Sequence, residues 1–354
     1  MLNIAQPDPL DALRTAAGSS AAVANPLGLL TGQPRSIFTS LDITAIRDPL
    51  DQKTLAQLEN ITGFSLMMDR ILEFGIEQLD FVLNTARSVR ASKSQLPWLY
   101  ALLLDLCDTM DVAPPGLYVG YSGYGFGYGS TSGAGADVLT SGYTRPYIVL
   151  SGNLLELMDE QELRAVLAHE LGHVKCGHLP YKLLARTLTV ASAMIGDMTL
   201  QLGGLVVKPL ELAVTAWAFP AERTADRACL LAIQDKEPCI RMLMKLAVGT
   251  NRLARQLDFE EFIGQAREYS QMDHTIMDKL ARFAIGSSQG PHLSTMARAK
   301  GMDDFFSSDE YRQMVNGTYT PTIVAAAARC PHCGATVQPA HKFCAVCGNP
   351  TPTR

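Results

Sequence analysis

The pentapeptide His169-Glu170-Leu171-Gly172-His173 constrains this chain more than any other feature. Two histidines four residues apart on a helix project from one face, where neutral imidazoles can grip a single zinc ion. The flanking residues predict that helix. It starts at Asp159, with Glu162 three residues on as the reciprocal capping partner. Leu163, Val166, Leu167, Leu171 and Val174 form one apolar arc, and both histidines lie at its edge. Glu170 falls inside the arc. A helix made only for packing would not place a carboxylate there, because burying an unpaired charge is costly. Beside a zinc-bound water, the same carboxylate is suited to act as a general base.

A catalytic zinc needs a third protein ligand and one position left open for water. The segment AERTADRACL offers Glu222, just after Pro220, which fits the first turn of a new helix. Asp226 lies four residues further on the same face, where it can orient a ligand histidine by hydrogen bonding. The bland alternative is a solvated helix start in which Arg223 and Arg227 pair with these carboxylates. The upstream HELGH tips the balance toward the metal.

A second cluster closes the chain. Cys330, Cys333, Cys344 and Cys347 fall within the last 25 residues as two CxxC pairs, ten residues apart. Four thiolates at that spacing can surround zinc tetrahedrally and leave no place for water, so this zinc ribbon is expected to be structural. His332 and His341 are surplus to it and read as solvated loop residues. Cys107, Cys176, Cys229 and Cys239 lie among apolar positions and read as small core residues. Paired thiols behind an N-terminus that lacks a basic and then apolar segment point to a reducing compartment. The expected location is the cytoplasm, with peripheral membrane attachment left open.

Composition sets the remaining limits. With 47% hydrophobic and 18% charged residues the chain can build a sizeable core, which excludes wholesale disorder. A net charge of -5 argues against a nucleic-acid partner. Residues 1–35 read as a disordered tail, 36–316 as one main domain, 317–329 as a linker and 330–348 as the ribbon. Within the main domain, helical spacing runs from Ile43 to about Met110, and Tyr147–Leu150 has strand composition. The run 120–135, in which seven of sixteen residues are Gly and four are aromatic, reads as an exposed insertion in a strand connection, with a flap over a cleft as the alternative. Residues 187–219 are nearly uncharged at their start but include Asp197, so a buried or interfacial helical hairpin is expected in place of a membrane span.

HELGHVKCGH, preceded by YIVLSGNLLELMDEQELRAVLA and followed by AERTADRACLLAIQD, resembles the HtpX-like zinc metallopeptidases, gluzincins related to the membrane-embedded CAAX prenyl proteases. The resemblance covers roughly residues 45–300. It implies a mainly α fold with a small β-sheet, that is, a zincin-like core to which the ribbon is appended. It implies His169, His173 and Glu222 as zinc ligands, Glu170 as catalytic base and Asp226 as their support. PHLSTMAR matches the family's His-to-Arg spacing near the active site and nominates His292 as catalytic and Arg298 as supporting, although Leu293 replaces the usual Pro. Ala136-Asp137 stands where the family usually has Asn-Ala on the groove strand. The implied activity is zinc-dependent hydrolysis of protein or peptide substrates, misfolded or membrane-associated ones above all. The alternative is a scaffold or holdase that recruits partners through the ribbon and the Gly-rich loop. Retention of all five site residues favours the enzyme.

Overall fold

Helices surround a small sheet in the computed structural model, which describes residues 38, 43–61, 64, 68, 75–120, 136–198, 203–272, 295–317, 328–329 and 336–337. The tail, the Gly-rich run beyond Gly120, His292, most of the linker and the four ribbon cysteines lie outside those residues.

Leaving aside the shortest helices and a two-residue hairpin, the elements are, in order, α1 (Pro49–Glu59), α2 (Ile76–Arg87), β1 (Val89–Arg90), α3 (Pro97–Met110), β2 (Gly116–Val119), β3 (Val138–Ser141) and β4 (Tyr147–Leu150). They continue with α4 (Gly152–Leu157), α5 (Glu160–Lys175), α6 (Leu179–Met198), α7 (Gly203–Ile233), α8 (Lys236–Val248), α9 (Phe259–Gln271), α10 (Thr295–Phe306) and α11 (Asp309–Val315). The strand order is β1-β2-β4-β3, with β2 and β4 parallel and both outer pairs antiparallel. The fold is therefore mainly α with a small mixed sheet, and β4, the expected strand, is buried along its whole length.

Two expectations need correction. Helix does not run unbroken from Ile43 to Met110: Val89 and Arg90 pair with Val119 and Tyr118 as an edge strand. Their extended conformation comes from a partner strand nearly thirty residues away, which helical spacing does not reveal. Nor does Pro220 open a new helix. Both Pro209 and Pro220 lie inside α7. An interior proline costs about 3 kcal/mol, which is offset here by packing along the helix, one face of which buries Trp217, Ala221, Ala225 and Ala228 and another Cys229 and Leu230.

Helix α5 is the centre of the molecule. The capping box of Asp159 and Glu162 starts it, and every residue from Glu162 to His173 is buried. Its polar side chains are matched: Arg164 meets Asp105, and Glu162 meets Lys245. The ends of the expected hairpin are buried as well. Leu184, Leu188, Leu210, Val214 and Trp217 join Leu55 and Leu58 of α1 in one apolar cluster. Among the described residues, no helix is long and apolar enough to cross a membrane. The four remaining cysteines, Cys107, Cys176, Cys229 and Cys239, are buried free thiols.

Candidate metal centre

The one group of metal-ligating side chains among the described residues is His169, His173 and Glu222, whose ligand atoms lie within 4.8 Å of one another. The histidines share a face of α5, and α7 crosses that face with Glu222. His169 Nε2 is 3.2 Å from Glu222 Oε2, and His173 Nε2 is 3.3 Å from Glu222 Oε1. Both imidazole Nε2 atoms are buried and make no hydrogen bond. Buried nitrogens normally find a partner. Two of them converging on a carboxylate fit a divalent metal with nitrogen and oxygen ligands, zinc in the first place.

Asp226, one turn beyond Glu222, accepts from His169 Nδ1 at 2.9 Å, which leaves Nε2 bare for a metal. Arg298 grips the same carboxylate with two bonds, Nε to Oδ2 at 2.8 Å and Nη2 to Oδ1 at 2.6 Å, and its Nη1 lies 3.3 Å from Glu222. The 3.3 Å approach of Arg298 Nη2 to His169 Nδ1 sets two donors side by side; the carboxylate between them reconciles both. Arg223 and Arg227 pair elsewhere, with Asp48 and Glu310, so the solvated-helix alternative for Glu222 and Asp226 does not hold.

Glu170 is buried and points to the sheet. Thr140 of edge strand β3 donates to its Oε2 at 2.6 Å, and Lys182 Nζ stands 3.8 Å away. Burial alone would push this carboxyl up, but Lys182, the two histidines and the Thr140 hydroxyl outweigh it and bring it down to about 2. Burial and the Lys182 charge take His173 down to about 3. Burial and Arg298 act on His169 in the same sense, yet the Asp226 and Glu222 carboxylates prevail and lift it to about 9, so a metal binding at Nε2 displaces a proton.

The structure thus brings together His169, Glu170, His173, Glu222, Asp226 and Arg298. His292, Cys330, Cys333, Cys344 and Cys347 fall outside the described residues. Sequence reasoning assigned nothing to Thr140, Lys182 or His178, which touch Glu170 or His173, or to Asp51, which touches His178. His178 ends the HELGHVKCGH segment and carried a hint of its own, but Thr140 and Asp51 reach the centre only through the fold.

Residues 136–308 match peptidase family M48. The plastoglobule-localized metallopeptidase 48 of Arabidopsis thaliana, a chloroplastic protein, is 33% identical over 282 residues, covering 80% of this chain and 78% of the plant protein. An HtpX protease homologue of Sulfurihydrogenibium is 29% identical over 40% of this chain and 45% of its own length. Another, from Aeropyrum pernix, is 25% identical over 63% of this chain and 62% of its own length. No solved structure matches this chain.

Proposed function

The chain belongs to peptidase family M48 and is an HtpX-like metallopeptidase, and from that premise we propose a zinc-dependent endopeptidase whose centre is His169, His173 and Glu222 with Glu170 as its base. The observation that carries this reading is the convergence of the two unbonded Nε2 atoms on Glu222, with Glu170 on the same helix. Zinc held there would polarise a peptide carbonyl and make a water acidic enough to lose a proton near neutral pH. The residues of the chain do the rest. Glu170, ionised at neutral pH, takes the proton from the attacking water and passes it to the leaving amine. Asp226, itself clamped by Arg298, keeps His169 in the tautomer that can bind a metal.

The substrates we propose are protein segments, misfolded or membrane-associated proteins in particular, in keeping with the family. His292 is proposed to contact the substrate from the segment before α10. The four tail cysteines are proposed to hold a second, structural zinc in a ribbon that recruits a protein partner. The enzyme is proposed to work in the cytoplasm, with any membrane attachment peripheral.

Glu170→Gln tests the core of this reading. The variant should keep its zinc, because Glu170 is no ligand, while hydrolysis of casein falls by ~10²–10⁴-fold or more. Chelation should abolish wild-type turnover. Substantial turnover by the zinc-loaded variant would remove Glu170 from the mechanism.

A further inference from the structure

His169 has a carboxylate to hold it, in Asp226. His173 has none at its Nδ1. Its Nδ1 instead lies 3.0 Å from Nδ1 of His178, the residue just before α6. His178 Nε2 in turn lies 3.1 Å from Asp51 Oδ2, on α1. Asp51 and His178 are completely buried, and His173 is 1% exposed. The end of α5, the turn that follows it and a helix far back in the sequence are therefore joined in one line of polar atoms that ends at a metal ligand.

The hydrogens along that line can be assigned from donor chemistry. Trp217 Nε1, which can only donate, gives its hydrogen to Asp51 Oδ1 at 2.8 Å. Thr224 Oγ1 receives the Asp48 N–H at 3.0 Å, so its own hydrogen goes to Asp51 Oδ2 at 2.8 Å. Asp51 thus acts as an ionised acceptor fixed by two donors from α7, and His178 Nε2 must carry the hydrogen that faces it. A neutral His178 then presents a bare Nδ1. Two ring nitrogens 3.0 Å apart need one hydrogen between them, and it has to come from His173 Nδ1. That leaves His173 Nε2 bare, on the side where Glu222 stands. The opposite assignment would put a hydrogen on Nε2 and prevent it from binding a metal at all.

We propose that Asp51 and His178 are positioning residues of the metal centre, a buried carboxylate–imidazole–imidazole chain that holds His173 in its metal-binding tautomer and orientation. The inference rests on the zinc reading above and extends it to residues outside the HELGH helix. It also gives Trp217 and Thr224 a function: they fix the carboxylate from which the chain starts.

The test is zinc competition on the full-length protein with a chromogenic chelator, the zinc lost in Glu222→Ala marking this centre. Asp51→Asn and His178→Ala should each weaken zinc binding by ~10–100-fold, the range for partners of a metal ligand. Because both act through one chain, the double variant should be no weaker than the weaker single variant. His178→Asn, whose amide oxygen can stand close to the original Nδ1, should recover part of the loss. Melting with and without zinc separates positioning from mere stability. A structural role would lower both melting temperatures equally, whereas a positioning role narrows the gap between them, since stabilisation by a ligand follows its affinity. Wild-type affinity in both variants, or additive losses in the double variant, would overturn the chain alone. A wild-type protein that binds no zinc at this centre would overturn the zinc reading and the chain with it.

Discussion

Gly172 and Ala228 stand so close that a methyl group on Gly172 would lie 2.8 Å from the Ala228 Cβ and 3.1 Å from the Ala225 Cα. Here α5 and α7 approach closely, one residue before His173 and alongside the turn of α7 that carries Asp226. The glycine of HELGH sets the distance between the two halves of the metal centre.

Gly172→Ala should accordingly do harm even though alanine is the better helix former by about 1 kcal/mol. Overpacking of this kind costs ~1–3 kcal/mol and would push the helices apart, carrying Glu222 away from the histidines. We expect a lower melting temperature and weaker zinc binding, partly restored by adding Ala228→Gly. Unchanged zinc affinity in Gly172→Ala would mean that the helices absorb the methyl group without moving the ligands.

Thr140 is the sheet's contribution to Glu170. Thr140→Val keeps the shape and removes the 2.6 Å hydrogen bond, so Glu170 loses a constraint on its position. The expected result is a fall in kcat on the order of 10-fold, with KM little changed and Thr140→Ser close to wild type. A rise in KM at constant kcat would place Thr140 in substrate binding instead.

Asp80 ties α2 to β3, β4 and α6, accepting from Ser141, Tyr147 and Arg186 at 2.7–2.8 Å. Burial pushes this carboxyl up, but Arg186 and the two hydroxyls outweigh it, and the group sits below the usual carboxylate range. Its contribution to stability is therefore complete above the unfolded value near ~3.9 and is lost as pH falls through the lower folded value. Asp80→Asn leaves Arg186 buried without its counter-charge, a loss of about 3–5 kcal/mol at pH 7. Denaturant melts should show the gap between wild type and variant shrinking below about pH 4. A gap that stays constant through acid pH would show that the ion pair is not its source.

Cutting the chain after Asn316 should leave the peptidase folded. Helix α11 ends at Val315, and its anchors Tyr311 and Met314 remain buried against the body. Metal analysis is expected to give about two zinc ions in the full chain and one in the truncated protein, which should still hydrolyse an unstructured peptide. One zinc in the full chain would dismiss the ribbon site. A folded, zinc-loaded but inactive truncation would make the ribbon part of the catalytic apparatus.

Local chemistry wrote much of this protein into its sequence. The helix from Asp159, its capping box and the shared face of His169 and His173 depend only on residues within a few turns, and so does the strand composition of Tyr147–Leu150. The pairing of Glu222 with that face was legible because a carboxylate one turn before Asp226 suits a metal site and little else once HELGH is present. Other features answer to contacts that no local pattern encodes. Pro220 continues a helix because α5 and α1 pack along it, Val89 becomes strand because β2 lies beside it, and Gly172 is required because α7 passes at that point. Thr140 and Asp51 reach the centre from β3 and α1. A hydrogen bond between residues far apart in sequence leaves no periodicity behind, so only the tertiary structure could bring them to the metal ligands.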